Sequence, residues 1–243
     1  MRLHRFYVSQ PLGEEVVLED SLIIKQWLKV FRYKLGDFVI LFNGDGYDYT
    51  YTLTKASPAI CVLTLSEKRE VLLPIRASFL FFSVIKKDLF ELVVEKATEC
   101  GITDVVPLIT EHTEKKNLNT ERLTTIIKEA TEQCGRNDLL TLHDSLTFND
   151  SFSFLESRNI SPKNTYITTL SGNPLLEVLT KRISSQEKES TESIAFFVGP
   201  EGGWSPGEEK IMQKKIFTPI SLGKTVLRAE TAGIYCALLS SIL

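Results

Sequence analysis

The chain has 243 residues, enough for one large domain or two of ordinary size, and its 43% hydrophobic and 24% charged content predicts a soluble globular protein with an ample core. A net charge of −3 and an isoelectric point near 5.8 exclude nucleic-acid binding driven by total charge and leave only local basic patches for that role. The four cysteines are scattered, with no CxxC pair and no histidine at ligand spacing, which argues against a zinc site or a disulfide framework and for a reducing compartment. The start MRLHRFYVSQP lacks the apolar core of a signal peptide, and no apolar run approaches the ~20 residues that span a bilayer. The expectation is a cytoplasmic protein without metal or membrane association.

Residues 1–70 read as a small β-rich domain. Val16–Leu18, Phe38–Phe42, Tyr47–Leu53 and Ala59–Leu65 are short runs rich in β-branched and aromatic residues, separated by Leu35-Gly36-Asp37, Asn43-Gly44-Asp45-Gly46 and Ser57-Pro58. The Asn-Gly and Asp-Gly steps supply the positive φ of a tight hairpin, and short strands with tight turns predict a small barrel. Between the first two runs, Leu22, Ile23, Trp27, Val30 and Phe31 fall at helical spacing across Ser21–Tyr33. This stretch also carries Lys25, Lys29, Arg32 and Lys34 with no acidic residue from Ser21 to Gly36, a pattern that charge alone reads as a solvated basic face.

The charged run Ser66-Glu67-Lys68-Arg69-Glu70 is read as punctuation before a second domain, 73–243. There the pattern alternates: a strand over Ala77–Ile85, apolar enough to be buried on both faces, and a helix over Lys86–Cys100 with the stripe Leu89, Leu92, Val93, Ala97 and Cys100. A strand over Val105–Ile109 follows, then a helix capped by Asn119 or Thr120 with the stripe Leu123, Ile126, Ile127, Ala130 and Cys134. Tyr166–Leu170, Ile194–Val198 and Thr218–Leu222 complete a set of strands for a mostly parallel sheet with helices on both faces. Lys181–Ser193, polar and rich in serine and glutamate, reads as a helix end and a loop.

Two glycine-hinged turns close the chain. Gly199-Pro200-Glu201-Gly202-Gly203 follows the Phe196-Phe197-Val198 strand and leads into a helix for which Ser205, Pro206 and Glu208 supply the N-cap, N1 and N3 residues of a capping box. Leu222-Gly223 runs through Val226-Leu227-Arg228 into the apolar helix Ala229–Leu243, with Ala232, Cys236, Leu239 and Ile242 on one side and Glu230 in its first turn. Such a helix suits a core or a dimer face equally. Turns at the carboxyl ends of neighbouring strands are where an open α/β sheet binds ligands, and glycine lets a ligand approach bare backbone N–H and C=O groups. The phosphate-loop pattern GxxxxGK[ST], the dinucleotide pattern GxGxxG, the metalloprotease pattern HExxH and the hydrolase pattern GxSxG are all missing.

The paired motifs GPEGGWSPGE and LGKTVLRAETA resemble those of the RsmE family, ribosomal RNA methyltransferases of the SPOUT superfamily that act on N3 of uridine in small-subunit rRNA. Arg2, Arg5, Phe6 and Tyr7, then Gly36-Asp37 with Phe42-Asn43-Gly44, are similar to the family's opening and its barrel hairpin. Lys96–Ile102 and Glu132–Arg136 are similar to its two helix-end motifs. Thr225 stands where arginine is common, His112 where Glu-Arg is usual, and Gln26 where a histidine often precedes the basic stretch.

The resemblance implies a PUA-like β-barrel RNA-binding domain over 1–70 and an α/β SPOUT methyltransferase domain with a C-terminal trefoil knot over 73–243. It implies S-adenosylmethionine held mainly through backbone by Leu170, Ser171, Gly199, Pro200, Glu201, Gly202, Gly203, Leu222, Gly223, Val226, Leu227 and Thr231. A homodimer acting on 16S rRNA in the 30S subunit is implied as well. N3 of neutral uridine carries a proton that must leave, so Glu201 or Glu230 stand as candidates for proton handling and Arg136 or Arg228 for charge stabilisation. Arg2, Arg5, Lys25, Lys29, Arg32 and Lys34 become candidate phosphate contacts. A SPOUT-type ribose 2′-O-methyltransferase would share the cofactor loops, and a non-catalytic RNA-binding assembly factor would need only the barrel.

Overall fold

The computed structural model describes residues 3–114, 117–184 and 191–241. It contains two compact units, Met1–Leu73 with Thr131–Leu139 and Pro74–Ala130 with Leu140–Leu243.

In the first unit, β1 (Arg5–Tyr7), β2 (Glu15–Leu18), β3 (Phe38–Phe42), β4 (Tyr47–Ala56) and β5 (Cys61–Glu70) form one sheet in the order β1-β3-β4-β5-β2. The β1–β3 pair is parallel and the others are antiparallel. Period-two alternation sends Val16 and Leu18, Val39 and Leu41, and Tyr49, Tyr51 and Leu53 inward, where they share one core with Phe6, Ile23, Ile24 and Trp27. Both edge strands contribute to that core. The β3–β4 hairpin turns on Gly44 and Gly46, at φ 92° and 88°.

Two expectations for this unit are corrected. Ser66–Glu70 is not a linker but the end of β5, pairing Glu67–Glu70 with Tyr47–Thr50. Its charges have partners on the neighbouring strand: the Lys68 ammonium lies 3.7 Å from the Tyr47 ring centroid, and Arg69 reaches Asp48 at 3.1 Å. The helix over Ser21–Tyr33 is split into α1 (Ser21–Lys25), capped by the Asp20 carboxylate, and a π-helix over Gln26–Phe31. The wider turn ends where the Arg32 N–H donates to Trp27 O, with Arg32 left-handed at φ 57°, and Trp27 is fully buried.

Residues 131–139 complete the first unit through polar contacts. The Arg5 guanidinium donates to the carbonyl of Arg136 and pairs with Asp48 at 2.6 Å, while the Glu132 carboxylate accepts from the Tyr7 N–H at 3.0 Å. Nothing in the periodicity of 131–139 announces this membership.

In the second unit, β6 (Ser78–Ser83), β7 (Asp104–Ile109), β8 (Thr141–Leu142), β9 (Leu146–Thr147), β10 (Thr165–Pro174), β11 (Ile194–Val198) and β12 (Thr218–Ser221) form a seven-stranded sheet. Its order is β12-β10-β11-β6-β7-β8 with β9 also on β7, and every pairing is parallel. The helices are α2 (Lys87–Glu99), α3 (Thr120–Cys134), which ends in the first unit, α4 (Asp150–Ser157), α5 (Leu175–Ser184), α6 (Pro206–Lys214) and α7 (Ala229–Ser240).

Alternation along the central strands defines two apolar layers. Phe79 and Phe81 pack with Phe197, with Phe152 and Leu155 of α4 and with Met212 of α6. On the other face Phe82 meets Phe90 of α2 and lies against Gly233 of α7. The buried stripe of α2 is Phe90, Val93, Val94, Ala97 and Thr98, rotated from the expected one, and Leu92 is exposed. The rotation follows from Phe90, whose bulk takes the central place under Phe82. Leu123, Ile126, Ile127 and Ala130 of α3 are buried as expected, whereas Cys134 is exposed. In α7 the buried side includes Gly233, Cys236, Ala237 and Leu239, with Ala232 half-buried and Ile242 outside the described residues.

Candidate active site

The carboxyl ends of four adjacent strands, β12, β10, β11 and β6, surround a cavity of about 850 Å³ within the second unit. That volume lies inside the ~300–1,000 Å³ range of small-molecule and cofactor sites. Three backbone-rich turns supply most of its wall.

The first turn is a bulge in β10. Thr168 and Asn173 are both in register with Ile220 of β12, so Thr169, Leu170, Ser171 and Gly172 leave the ladder and re-enter it opposite the same residue. Thr169, Leu170 and Ser171 line the cavity, and Leu170 is largely exposed in it. Gly172 closes the bulge so near Ile220 that an added Cβ would lie 2.5 Å from its carbonyl carbon.

The second turn is Gly199–Gly203. Gly203 sits at φ 70° and its N–H donates to Pro200 O at 2.9 Å. The Trp204 ring covers Gly199 so closely that a Cβ there would meet it at 3.1 Å, and its Nε1–H donates to Thr168 O at 2.9 Å. One indole thus ties this turn to β10. The expected capping box is present: Ser205 Oγ accepts from the Glu208 N–H, and the Glu208 carboxylate accepts from the Ser205 N–H.

The third turn, from Leu222 to Arg228, lines the cavity with Leu222, Gly223, Thr225, Val226 and Leu227. Its end places Glu230 in the first turn of α7, on the cavity wall, with its side chain only 10% exposed. Arg228 also lines the cavity but extends into solvent at 85% exposure, its Nη1 4.0 Å from Glu230 Oε1. A nearly buried carboxylate and a solvent-exposed guanidinium therefore share one wall.

Of the residues assigned to the cofactor from sequence, all but Thr231 line the cavity; Thr231 is exposed on α7. Lys86, Leu89, Trp204 and Glu209 line it without having been singled out. Trp204 follows the glycine run directly, but the role of its indole depends on a carbonyl far away in sequence.

The candidate catalytic and phosphate-binding residues distribute differently. Arg136 belongs to the first unit, where its guanidinium is held by the Asp138 carboxylate, with Nε donating at 3.2 Å. Arg5 is turned inward onto Asp48 and leaves no free guanidinium face for a phosphate. Lys25, Lys29, Arg32 and Lys34 are exposed, and Arg2 lies outside the described residues. In the Lys96–Ile102 motif, the Lys96 ammonium donates to the Glu95 and Glu99 carboxylates, 2.8 Å each, and these bonds hold it above its ordinary pKa, so this lysine is committed to its own helix. Burial pushes the Cys236 thiol up, which makes it a packing residue of α7.

Among the described residues no group of three or more His, Cys, Asp or Glu could hold a metal ion, and no helix is long and apolar enough to cross a membrane.

Comparison with known proteins places this chain in a class. Residues 73–241 match the RNA methyltransferase domain family, and residues 28–66 match the RNA methyltransferase PUA domain family. The fold is that of an α/β RNA methyltransferase with a PUA-like N-terminal part.

A ribosomal RNA small subunit methyltransferase E from Rickettsia conorii is 30% identical over 96% of this chain and 93% of its own length. The protein of that name from Bacillus subtilis is 27% identical over 86% of this chain and 82% of its own length. The S-adenosylmethionine-bound structure of a ribosomal RNA small subunit methyltransferase E from Neisseria gonorrhoeae superposes with a TM-score of 0.83 at 24% identity, over 99% of this chain and 98% of that one. A methyltransferase from Legionella pneumophila in complex with the same cofactor gives 0.82 at 24% identity, over 99% and 97%. The chain belongs to the RsmE family of ribosomal RNA methyltransferases.

Proposed function

We propose that this protein methylates N3 of a uridine in the 16S rRNA of the 30S subunit, with S-adenosylmethionine as methyl donor. The observation that carries the reading is the convergence of the 169–172 bulge, the 199–203 turn and the 222–228 turn on one cavity, in a chain of this family. The cavity suits the cofactor chemically. Leu89, Leu170, Leu222, Val226 and Leu227 offer apolar surface to an adenine ring, and the glycine turns leave backbone groups within reach of its polar edge. Glu230 and Glu201 set negative charge in the wall that would face a sulfonium cation.

When bound, S-adenosylmethionine supplies an electrophilic methyl group carried on positively charged sulfur. The residues of this chain have the remaining tasks. Glu230, held by the first turn of α7 and mostly removed from water, would accept the N3 proton of uridine. Arg228, largely exposed beside Glu230, would stabilise the negative charge that develops on a uracil carbonyl. Arg136, committed to Asp138, is better suited to bracing the segment 131–139 than to the reaction.

The exposed row Lys25, Lys29, Arg32 and Lys34 would contact RNA phosphates and position the substrate without reading its sequence. Arg5 would support the same face from within, by holding Asp48 and the 131–139 segment. The SPOUT trefoil knot in the C-terminal part, a homodimer built on α7 and a cytoplasmic location complete the reading. The exposed Thr231, Tyr235 and Leu238, spaced along one side of α7, support the dimer face.

Incubation with methyl-labelled S-adenosylmethionine and 30S subunits lacking the modification, followed by digestion and mapping, tests the proposal. Label is expected on uridine N3. Label on a ribose oxygen would reassign the reaction, and absence of both cofactor binding and transfer would leave an RNA-binding assembly factor.

A further inference from the structure

We infer that His112 is the positioning residue for the methyl-donor loop, a role that rests on the reading of the cavity as an S-adenosylmethionine site. His112 lies in the turn after β7, a strand whose end is not among those walling the cavity. Its Nδ1 lies 3.1 Å from Gly202 O and 3.0 Å from Gly203 O. Carbonyl oxygens only accept, so Nδ1 carries the proton and shares it between the two carbonyls. In the neutral ring this fixes the tautomer and leaves Nε2 as the acceptor.

Three further observations make this a built contact. The turn itself is stiff: Thr113 Oγ1 accepts from the Thr110 N–H at 2.9 Å, and the Thr113 N–H donates to Thr110 O at 3.2 Å. The histidine needs the glycine it holds, because a Cβ on Gly202 would lie 3.1 Å from His112 Cβ and 3.4 Å from its Cγ. The neighbouring residue is tied to the first turn of α6, which follows the loop, where the Glu208 carboxylate accepts from the Glu111 N–H at 2.9 Å as well as from the Ser205 N–H at 2.8 Å. Glu111 and His112 therefore clamp the segment 202–208 at both ends, one through a buried carboxylate and the other through an imidazole.

The loop needs such a clamp. Gly199, Gly202 and Gly203 give it more backbone freedom than any other residue type would, and ordering it on cofactor binding costs more for that reason. A donor that spans two consecutive carbonyls restricts the loop before the cofactor arrives, which is preorganisation. His112 is exposed and belongs to neither hydrophobic cluster, so its removal acts on the loop and not on the core. Its effect belongs in cofactor affinity, with the methyl-transfer step unchanged once the site is full.

The test uses the full-length protein and three variants. Calorimetry with S-adenosylmethionine is expected to give His112→Ala a Kd raised about three- to tenfold, the loss of one hydrogen bond. Steady-state assays should show KM for the cofactor rising by the same factor, with kcat at saturation within about twofold of wild type. His112→Asn, whose Nδ2 occupies the place of the imidazole Nδ1, should recover most of the affinity. His112→Gln, one methylene longer, should not. The inference is overturned if His112→Ala binds the cofactor as wild type does, or if Asn is no better than Ala. A wild-type protein that binds no S-adenosylmethionine would instead sink the functional reading beneath it.

Discussion

Tyr51 stands in the core of the first unit with its ring fully buried, and its hydroxyl donates to Gly13 O at 2.7 Å. Burial, reinforced by the neighbouring Tyr49, pushes its phenol up to about 12. In the unfolded chain the same phenol ionises near pH ~10. Between those values the unfolded state releases a proton that the folded state keeps, so stability is complete below pH ~10 and falls as pH rises toward about 12. Tyr33 acts with the same sign, since burial and then the Asp37 carboxylate hold it at about 12. Tyr51→Phe should therefore flatten the alkaline loss of stability, at the expense of about 1 kcal/mol at neutral pH for the missing hydrogen bond. Urea midpoints measured from pH 8 to 12 check this, and a pH profile parallel to wild type would refute it.

At the scale of elements, the β10 bulge decides whether the cavity has its third wall. Gly172 re-enters the ladder against the Ile220 backbone, where a Cβ would find the carbonyl carbon at 2.5 Å and the amide nitrogen at 2.7 Å. Those atoms belong to a paired strand and cannot move aside as a flexible side chain would. Gly172→Ala should cost about 2–4 kcal/mol, the scale of backbone strain plus overpacking, and weaken S-adenosylmethionine binding through displacement of Leu170 and Ser171. A melting curve and a cofactor titration on one sample test both parts, and an unshifted melting temperature would show that the bulge relaxes freely. The same bulge marks how far the sequence could be read. Ile194–Val198, Phe38–Phe42 and the Ser205–Glu208 cap are legible because strand patterning and capping chemistry are local. The bulge is not, because its register is set by β12, some fifty residues further on. Leu170 and Ser171 entered the site through family resemblance alone. His112 offered still less: a lone histidine in a Thr-Glu-His-Thr turn has no local mark of the two carbonyls it holds.

At the scale of the whole molecule, the chain leaves its first compact unit at residue 73 and contributes to it again with 131–139, so that unit is discontinuous in sequence. Asn137 carries much of that return. It is fully buried, its Nδ2 donates to Tyr47 O at 2.8 Å and to Asp48 Oδ1 at 3.3 Å, and its Oδ1 accepts from the Gly46 N–H at 3.0 Å. Asp48, itself buried, depends on the same cluster for its partners Arg5 and Arg69. Asn137→Ala would strand a buried N–H and a buried carbonyl and remove one donor from a buried carboxylate, a loss of about 2–4 kcal/mol. Asn137→Asp should be worse at neutral pH, because it sets a second carboxylate beside Asp48 in place of the donor. The two tryptophans allow the effect to be located: with Trp204 replaced by Phe, the remaining indole fluorescence comes from Trp27 in the core of the first unit. Denaturation followed through Trp27 should shift to lower urea in the order wild type, Asn137→Ala, Asn137→Asp. If the Trp27 transition stays in place for both variants, residues 131–139 are passengers of the first unit and the contiguous domain is sufficient.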